Sequence, residues 1–213
     1  MAYYFAEGSK IQFTQTMAGA KTITVATNAN PCVMTSVAHG YSTNDEILLT
    51  TGWEDATDSV YKITVLTADT FSVTGLDTTN TSYFASGSGV GTAQKLSTWL
   101  DIPQVLTVSS SGGDARFTDI SPLAKRNSIK VPTGFNATAM TLTLGHDASQ
   151  ANYITMLGIS RDLSKVAIKQ VISGGAVTYG YGYMSVSENP KLNVNQANTV
   201  DAALTILGRT VSY

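Results

Sequence analysis

Ala176-Val177-Thr178-Tyr179-Gly180-Tyr181-Gly182-Tyr183-Met184-Ser185-Val186 decides how the rest of the chain is read. β-Branched and aromatic side chains suit a pleated, half-buried surface, and residues two apart share one face of a strand. Tyr179, Tyr181 and Tyr183 therefore project together. Gly180 and Gly182 alternate with them and mark a close approach of another layer on the opposite face. Three rings in line describe packing, in a core or against another chain, better than a stacking platform for single-stranded nucleic acid, which also needs a basic groove.

Outward from this segment the same texture recurs. Lys165–Val171 precedes it and Ala202–Gly208 follows; Lys10–Thr16, Gln104–Val108 and Ala137–Leu144 are further strand candidates. Ser109-Ser110-Ser111-Gly112-Gly113-Asp114 reads as a turn, after which the chain resumes at Ala115-Arg116-Phe117. One stretch predicts a helix. Asp147-Ala148-Ser149-Gln150 has the spacing of a capping box, Ala151, Ile154, Met156 and Leu157 supply an apolar face, and Gly158 is a natural stop. The expected fold class is mainly β, a sandwich or barrel flanked by one α-helix.

The 213 residues are 43% hydrophobic and 13% charged, the latter about half the usual share for a globular domain. Between residues 22 and 94 seven acidic residues face one base, Lys62, while the remainder carries 12 bases and 8 acids. That charge break coincides with a Thr- and Asn-rich texture, four short strand candidates (Cys32–Val37, Glu46–Thr50, Tyr61–Leu66, Thr70–Thr74) and a flexible exit, Ala85-Ser86-Gly87-Ser88-Gly89-Val90-Gly91-Thr92. Residues 22–94 are thus expected to be an inserted small all-β module that folds independently on the outer surface, with residues 1–21 and 95–213 as the body.

The chemistry of catalysis is missing. Cys32 is the single cysteine, so an internal disulfide is impossible, and a buried free thiol is its ordinary role. His39 and His146 have no ligand spacing, and the expectation is no metal and no cofactor. Gly87-Ser88-Gly89 and Ser173-Gly174-Gly175 are turns, not nucleophile elbows, and no phosphate-cradling loop is present. Asp45-Glu46 and Glu54-Asp55 sit at adjacent positions that point to opposite strand faces, which describes solvated surface. A net charge of −2 speaks against a protein built around nucleic-acid affinity. The first residues, Met1–Glu7, lack the basic start and apolar run of a signal peptide, and no run approaches the length needed to span a bilayer, so a chain made in the cytoplasm and not inserted in a membrane is expected.

Three sets of residues carry a family resemblance: the opening Met1-Ala2-Tyr3-Tyr4-Phe5-Ala6-Glu7-Gly8-Ser9-Lys10; Asp119-Ile120-Ser121-Pro122-Leu123-Ala124-Lys125-Arg126 followed by strand, helix and strands; and the ending Leu207-Gly208-Arg209-Thr210-Val211-Ser212-Tyr213. Over residues 1–21 and 95–213 the chain resembles the major tail (tube) protein of long, non-contractile phage tails. Residues 22–94, with Ala38-His39-Gly40-Tyr41-Ser42-Thr43-Asn44-Asp45 and Ala68-Asp69-Thr70-Phe71, resemble a small β module of phage structural proteins. Asn44 stands where that pattern has Gly, and Asn tolerates the left-handed backbone such a turn needs.

The resemblance implies a virion protein, made in the host cytoplasm, that assembles as hexameric rings stacked into a tube for viral DNA ejection. The implied partners are its own copies, a tape-measure protein, terminator and tip proteins, and DNA in transit. On this footing residues 119–133, with two prolines and three bases, are expected to form an extended arm, a loop that gains order on docking, whose Lys125, Arg126 and Lys130 touch the next ring. Asp101, Asp114, Asp119, Glu188 and Asp201 are expected to face the lumen, because a body with net +4 must let a polyanion pass. Tyr179, Tyr181 and Tyr183 are assigned to packing between subunits. The competing reading is a tail-tip or decoration β domain that binds a carbohydrate or host receptor, for which Trp53 and Trp99 should be exposed and clustered.

Overall fold

Alternation of apolar and small polar residues is what the strands are built on, and the burial pattern follows it. In a computed structural model, which describes residues 7–124, 126–192, 194 and 197–213, seventeen strands and one helix form. The first strand is β1 (Lys10–Thr14). A second group follows: β2 (Lys21–Ile23), β3 (Val25–Ala26), β4 (Cys32–Thr35), β5 (Glu46–Thr51), β6 (Ser59–Val65), β7 (Thr70–Val73) and β8 (Gly91–Lys95). The chain continues through β9 (Leu100–Asp101), β10 (Val105–Ser111), β11 (Ala115–Ile120), β12 (Ile129–Phe135) and β13 (Ala139–Gly145). It ends with α1 (Ala151–Arg161), β14 (Lys165–Val171), β15 (Val177–Val186), β16 (Thr199–Ile206) and β17 (Val211–Ser212).

The body sheet runs β10-β13-β16-β15-β14-β1-β9, with β17 also paired to β15. Its two ends, β9 and β10, are successive pieces of one segment: Ile102 N–H donates to Ile11 O and Gly145 N–H to Gln104 O, so the sheet curls round on itself. The inner face holds Phe13, Leu142, Leu144, Val166, Met184, Val200 and Leu204, closed over by Tyr153, Met156 and Ile159 of α1. The second sheet, β2-β8-β5-β6-β7-β4-β3, closes in the same way, because β2 and β3 are separated only by Thr24. Its interior contains Ile47, Leu49, Trp53, Ile63, Phe71 and the buried thiol Cys32. Lys21 pairs with Ala93 across β2 and β8, so the chain enters and leaves this small barrel side by side.

The two barrels share a seam. Leu48, Val60 and Leu96 pack on Ala167, Tyr179 and Tyr181 of the body. Glu46 Oε1 accepts from Lys169 Nζ at 2.7 Å and from Tyr179 Oη at 2.5 Å. Tyr213 Oη donates to Thr74 O and accepts from Lys62 N–H, at 2.8 and 2.9 Å.

Three local expectations are corrected. The capping box does not form: Asp147 Oδ1 accepts from Ser149 N–H and Oγ–H at 3.0 and 2.6 Å, so it closes a turn before the helix and leaves Gln150 as an N-cap with no side-chain bond. The helix runs through Gly158 to Arg161 and ends in a Schellman arrangement, with Ser164 N–H on Ile159 O, Leu163 N–H on Ser160 O and Leu163 at φ 49°. Its buried face is Tyr153, Met156 and Ile159, while Ile154 is 55% exposed. Gly182 is not approached by a separate layer; a Cβ there would lie 1.9 Å from Thr205 O of the neighbouring strand β16, where the sheet is tightly coiled.

Candidate assembly surfaces

The segment expected to turn at residues 109–114 instead carries on as strand to Ser111, bends, and resumes. β10 pairs with β13 and β11 with β12, so residues 105–120 and 129–145 form one long antiparallel ribbon. Gly112 and Gly113, at φ 84° and 77°, make the bend, and a Cβ on Gly112 would sit 2.0 Å from Ala137 O. Beyond the bend β11 and β12 pair only with each other. They form an arm leaving the barrel, with its tip at residues 121–124 and 126–128.

A free two-stranded hairpin is marginal in water, and this one covers none of its apolar side chains. Phe117, Ile120, Leu123, Ile129, Val131 and Phe135 are all exposed, Leu123 completely. Among them stand Arg116, Arg126 and Lys130; none takes part in an ion pair among the described residues, although Asp119 lies opposite Lys130 in the register. An arm that gains nothing by being apolar on its own is built to be covered by something else.

A second surface is the outer face of β10, β13, β16 and the end of β15. Thr107, Ser109 and Ser111 align with Thr143, Thr141 and Ala139, then with Asp201, Ala203 and Thr205, and Ser185 and Tyr183 complete the face. It is a wall of small hydroxyl-bearing residues, and Asp201 is held by an ion pair with Lys191.

The residues that define the small-module pattern are used inside the fold. His39 is 2% exposed; its Nδ1 accepts from Tyr41 N–H at 2.9 Å and its Nε2–H donates to Thr67 O at 3.2 Å. Asp69 Oδ1 accepts from Ala38 N–H at 2.7 Å, and Asn44 has φ 71°, the left-handed turn for which Asn can replace Gly. The motif pins two loops against Phe71 and leaves no free titratable group. Trp53 is buried with Nε1–H on Ala85 O at 2.8 Å, and Trp99 is half-buried beside Tyr179 and Lys169, so the two tryptophans form no paired platform for a sugar.

The model of a protein family described as phage tail tube protein matches residues 51–213. The chain belongs to that family. It is a structural component of a phage tail, whose subunits self-assemble into a tube. The match begins at the end of β5, so it takes in the second half of the small barrel as well as most of the body. Among solved structures it is similar to the SPP1 tail tube determined by solid-state NMR and cryo-electron microscopy, with a TM-score of 0.42 and 13% identity over 55% of this chain and 69% of that one. No curated protein sequence matches it.

In this tail tube protein the residues singled out from sequence lie on several surfaces. Arg126 and Lys130 are on the arm; Lys125 lies outside the described residues. Tyr179 and Tyr181 are buried in the seam within one chain, which corrects their assignment to subunit packing and leaves Tyr183, 42% exposed, available to a neighbour. The rings alternate as expected, but the small barrel, not a second subunit, covers the first two. Burial and the Glu46 bond push the Tyr179 hydroxyl pKa upward. Of the five acids, Asp201 is on the hydroxyl face, Asp101 on β9 accepting from Gln12 Nε2, Asp114 at the bend and Asp119 on the arm. Glu188 is paired with Arg161 Nε at 2.7 Å, which holds its carboxyl below the usual range. They share no single face. Sequence reading missed the pairing of the arm because Pro132 and Gly134 interrupt the alternation of β12; the signal available was the apolar set Phe117, Ile120, Ile129 and Val131 on either side of the tip.

Proposed function

We propose that the chain polymerises as stacked hexameric rings, with the arm of each subunit docking on the next ring and the hydroxyl face of β10, β13, β16 and β15 lining the lumen. The observation that carries this reading is the arm itself: a two-stranded ribbon with six exposed large apolar residues and with Arg116, Arg126 and Lys130 in no ion pair among the described residues, projecting from an otherwise well-packed barrel. Small hydroxyls and Asp201 offer a sliding polyanion no row of cations to bind, which suits DNA ejection. Asp114, where the ribbon leaves the barrel, extends that acid character toward the ring edge, while Asp119 lies farther out, near the arm tip. Residues 22–94 form the inserted module on the outer surface. Tape-measure, terminator and tip proteins are the partners at the lumen and the two ends.

Electron microscopy of the concentrated protein tests the reading. Tubes or stacked rings are expected from the full chain, and Arg126→Glu with Lys130→Glu should leave a folded monomer with its melting temperature unchanged. Tubes of normal length from that double variant would refute the role of the arm. A protein that stays monomeric at every concentration would refute polymerisation itself.

A further inference from the structure

A groove of about 820 Å³ lies where the two barrels meet the root of the arm. Its walls come from three places: Glu54 and Asp55 in the turn after β5, Tyr83 in the loop before β8, and Phe135, Leu207 and Arg209 from the body. The apolar part is open, with Tyr83 68%, Phe135 76% and Leu207 43% exposed. Neither Glu54 nor Asp55 has an ion-pair partner among the described residues. The groove is therefore an apolar trough with acids on one wall and a single base, Arg209, on another.

The arm has the complementary character. Residues 115–135 carry four bases against one acid, and the described tip presents Leu123 flanked by Ile120 and Ile129, with Arg126 and Lys130 beside them. We propose that this groove receives the arm tip of a second copy, Leu123 entering between Tyr83 and Leu207 while Arg126 and Lys130 meet Glu54 and Asp55. The acid of the arm, Asp119, is then the partner for Arg209. A chain cannot fill its own groove. Phe135 is both a wall of the groove and the last residue of β12, and six strand residues at ~3.3 Å each hold the tip about 20 Å from that root.

Tip and groove are different surfaces, so the contact is heterologous and passes from copy to copy, the property an open-ended tube requires. The inference rests on the assembly role proposed for the arm and adds its receptor: the inserted barrel supplies one wall of the assembly contact, besides standing on the exterior.

The test is a charge exchange in the full chain, read by sedimentation of assembled protein and by electron microscopy. Glu54→Lys with Asp55→Lys should lower the assembled fraction by about tenfold or more, as should Arg126→Glu with Lys130→Glu, and all four changes in one chain should recover most of the loss. Normal assembly of the groove variant beside a blocked arm variant would overturn the inference while leaving the arm's role intact; normal assembly of both would remove that role as well. Failure of the fourfold variant to recover counts against the pairing. An independent check needs no charge change: Leu123→Cys with Tyr83→Cys, oxidised under assembly conditions, should give a ladder of covalent multimers, with Cys32 buried and out of the reaction. Monomer alone after oxidation of assembled protein would overturn the inference.

Discussion

Leu163 carries a backbone conformation that its side chain resists. At φ 49° and 74% exposed, it occupies the left-handed position after α1 that glycine takes without steric cost, and no burial of its side chain offsets the strain. Leu163→Gly should raise stability by about 1 kcal/mol, measured as the shift of the urea midpoint. Asn44, at φ 71°, is the reverse case: Asn44→Val should lower the melting temperature, by about 1–2 kcal/mol in stability. The tyrosines set the alkaline limit. Burial, aided by Asp45 near Tyr41, pushes Tyr41 and Tyr61 up to about 12, and burial raises Tyr213 as well. A group whose folded pKa lies above its unfolded value of 10.0 binds its proton more tightly when folded. Its contribution is complete below pH 10 and is lost as the pH rises toward 12. Denaturation midpoints should therefore hold steady to about pH 10 and fall steeply above it, and Tyr61→Phe should flatten that fall.

At the scale of elements, the arm and the seam respond in opposite ways. Among the described residues the strands of the arm pair only with each other, so joining Gly113 to Asn136 by a short turn should leave the barrel's melting temperature nearly unchanged and abolish tubes. Amide exchange offers a second measure: residues 115–135 should exchange fast in the monomer and slowly in assembled protein. The seam, in contrast, is interior. Glu46→Gln weakens the acceptor shared by Lys169 and Tyr179, leaving a half-buried ammonium without its counter-charge, and should cost about 2–4 kcal/mol by chemical denaturation.

For the whole molecule, the question is whether the small barrel is detachable. Its ends are adjacent, since Lys21 lies opposite Ala93, and lengthening a surface connection costs only ~0.6 kcal/mol per doubling, so the insertion itself strains nothing. Removal is another matter, because Tyr179, Tyr181 and Ala167 are buried beneath it. Replacing residues 22–94 by a short Gly/Ser turn should give a folded body that melts lower and aggregates through the exposed tyrosines. Tyr181→Thr in the shortened chain should restore solubility, which light scattering would show.

The mainly β class, the strand positions and the charge division at residues 22–94 were legible in the sequence, because periodicity two and local composition depend only on neighbours along the chain. Gln104–Val108 and Lys10–Thr16 read as strands whatever they pair with. The same is true of the left-handed turn at Asn44, where one residue's sterics decide. What tertiary structure alone decided is which surfaces are spent and which remain. Tyr179, Tyr181 and Tyr183 are indistinguishable by spacing, yet two are covered by the small barrel, which ends more than eighty residues earlier in the chain, and one is not. The helix ran past Gly158 because its last turn is closed by carbonyl acceptors and by contacts of Ile159 with the sheet. An arm near residues 119–133 was legible from its prolines and bases, but that it is a two-stranded ribbon, and not a single extended loop, was decided by the pairing of β11 with β12. Pairing is a long-range choice made by competing sheet edges, and no local pattern contains it.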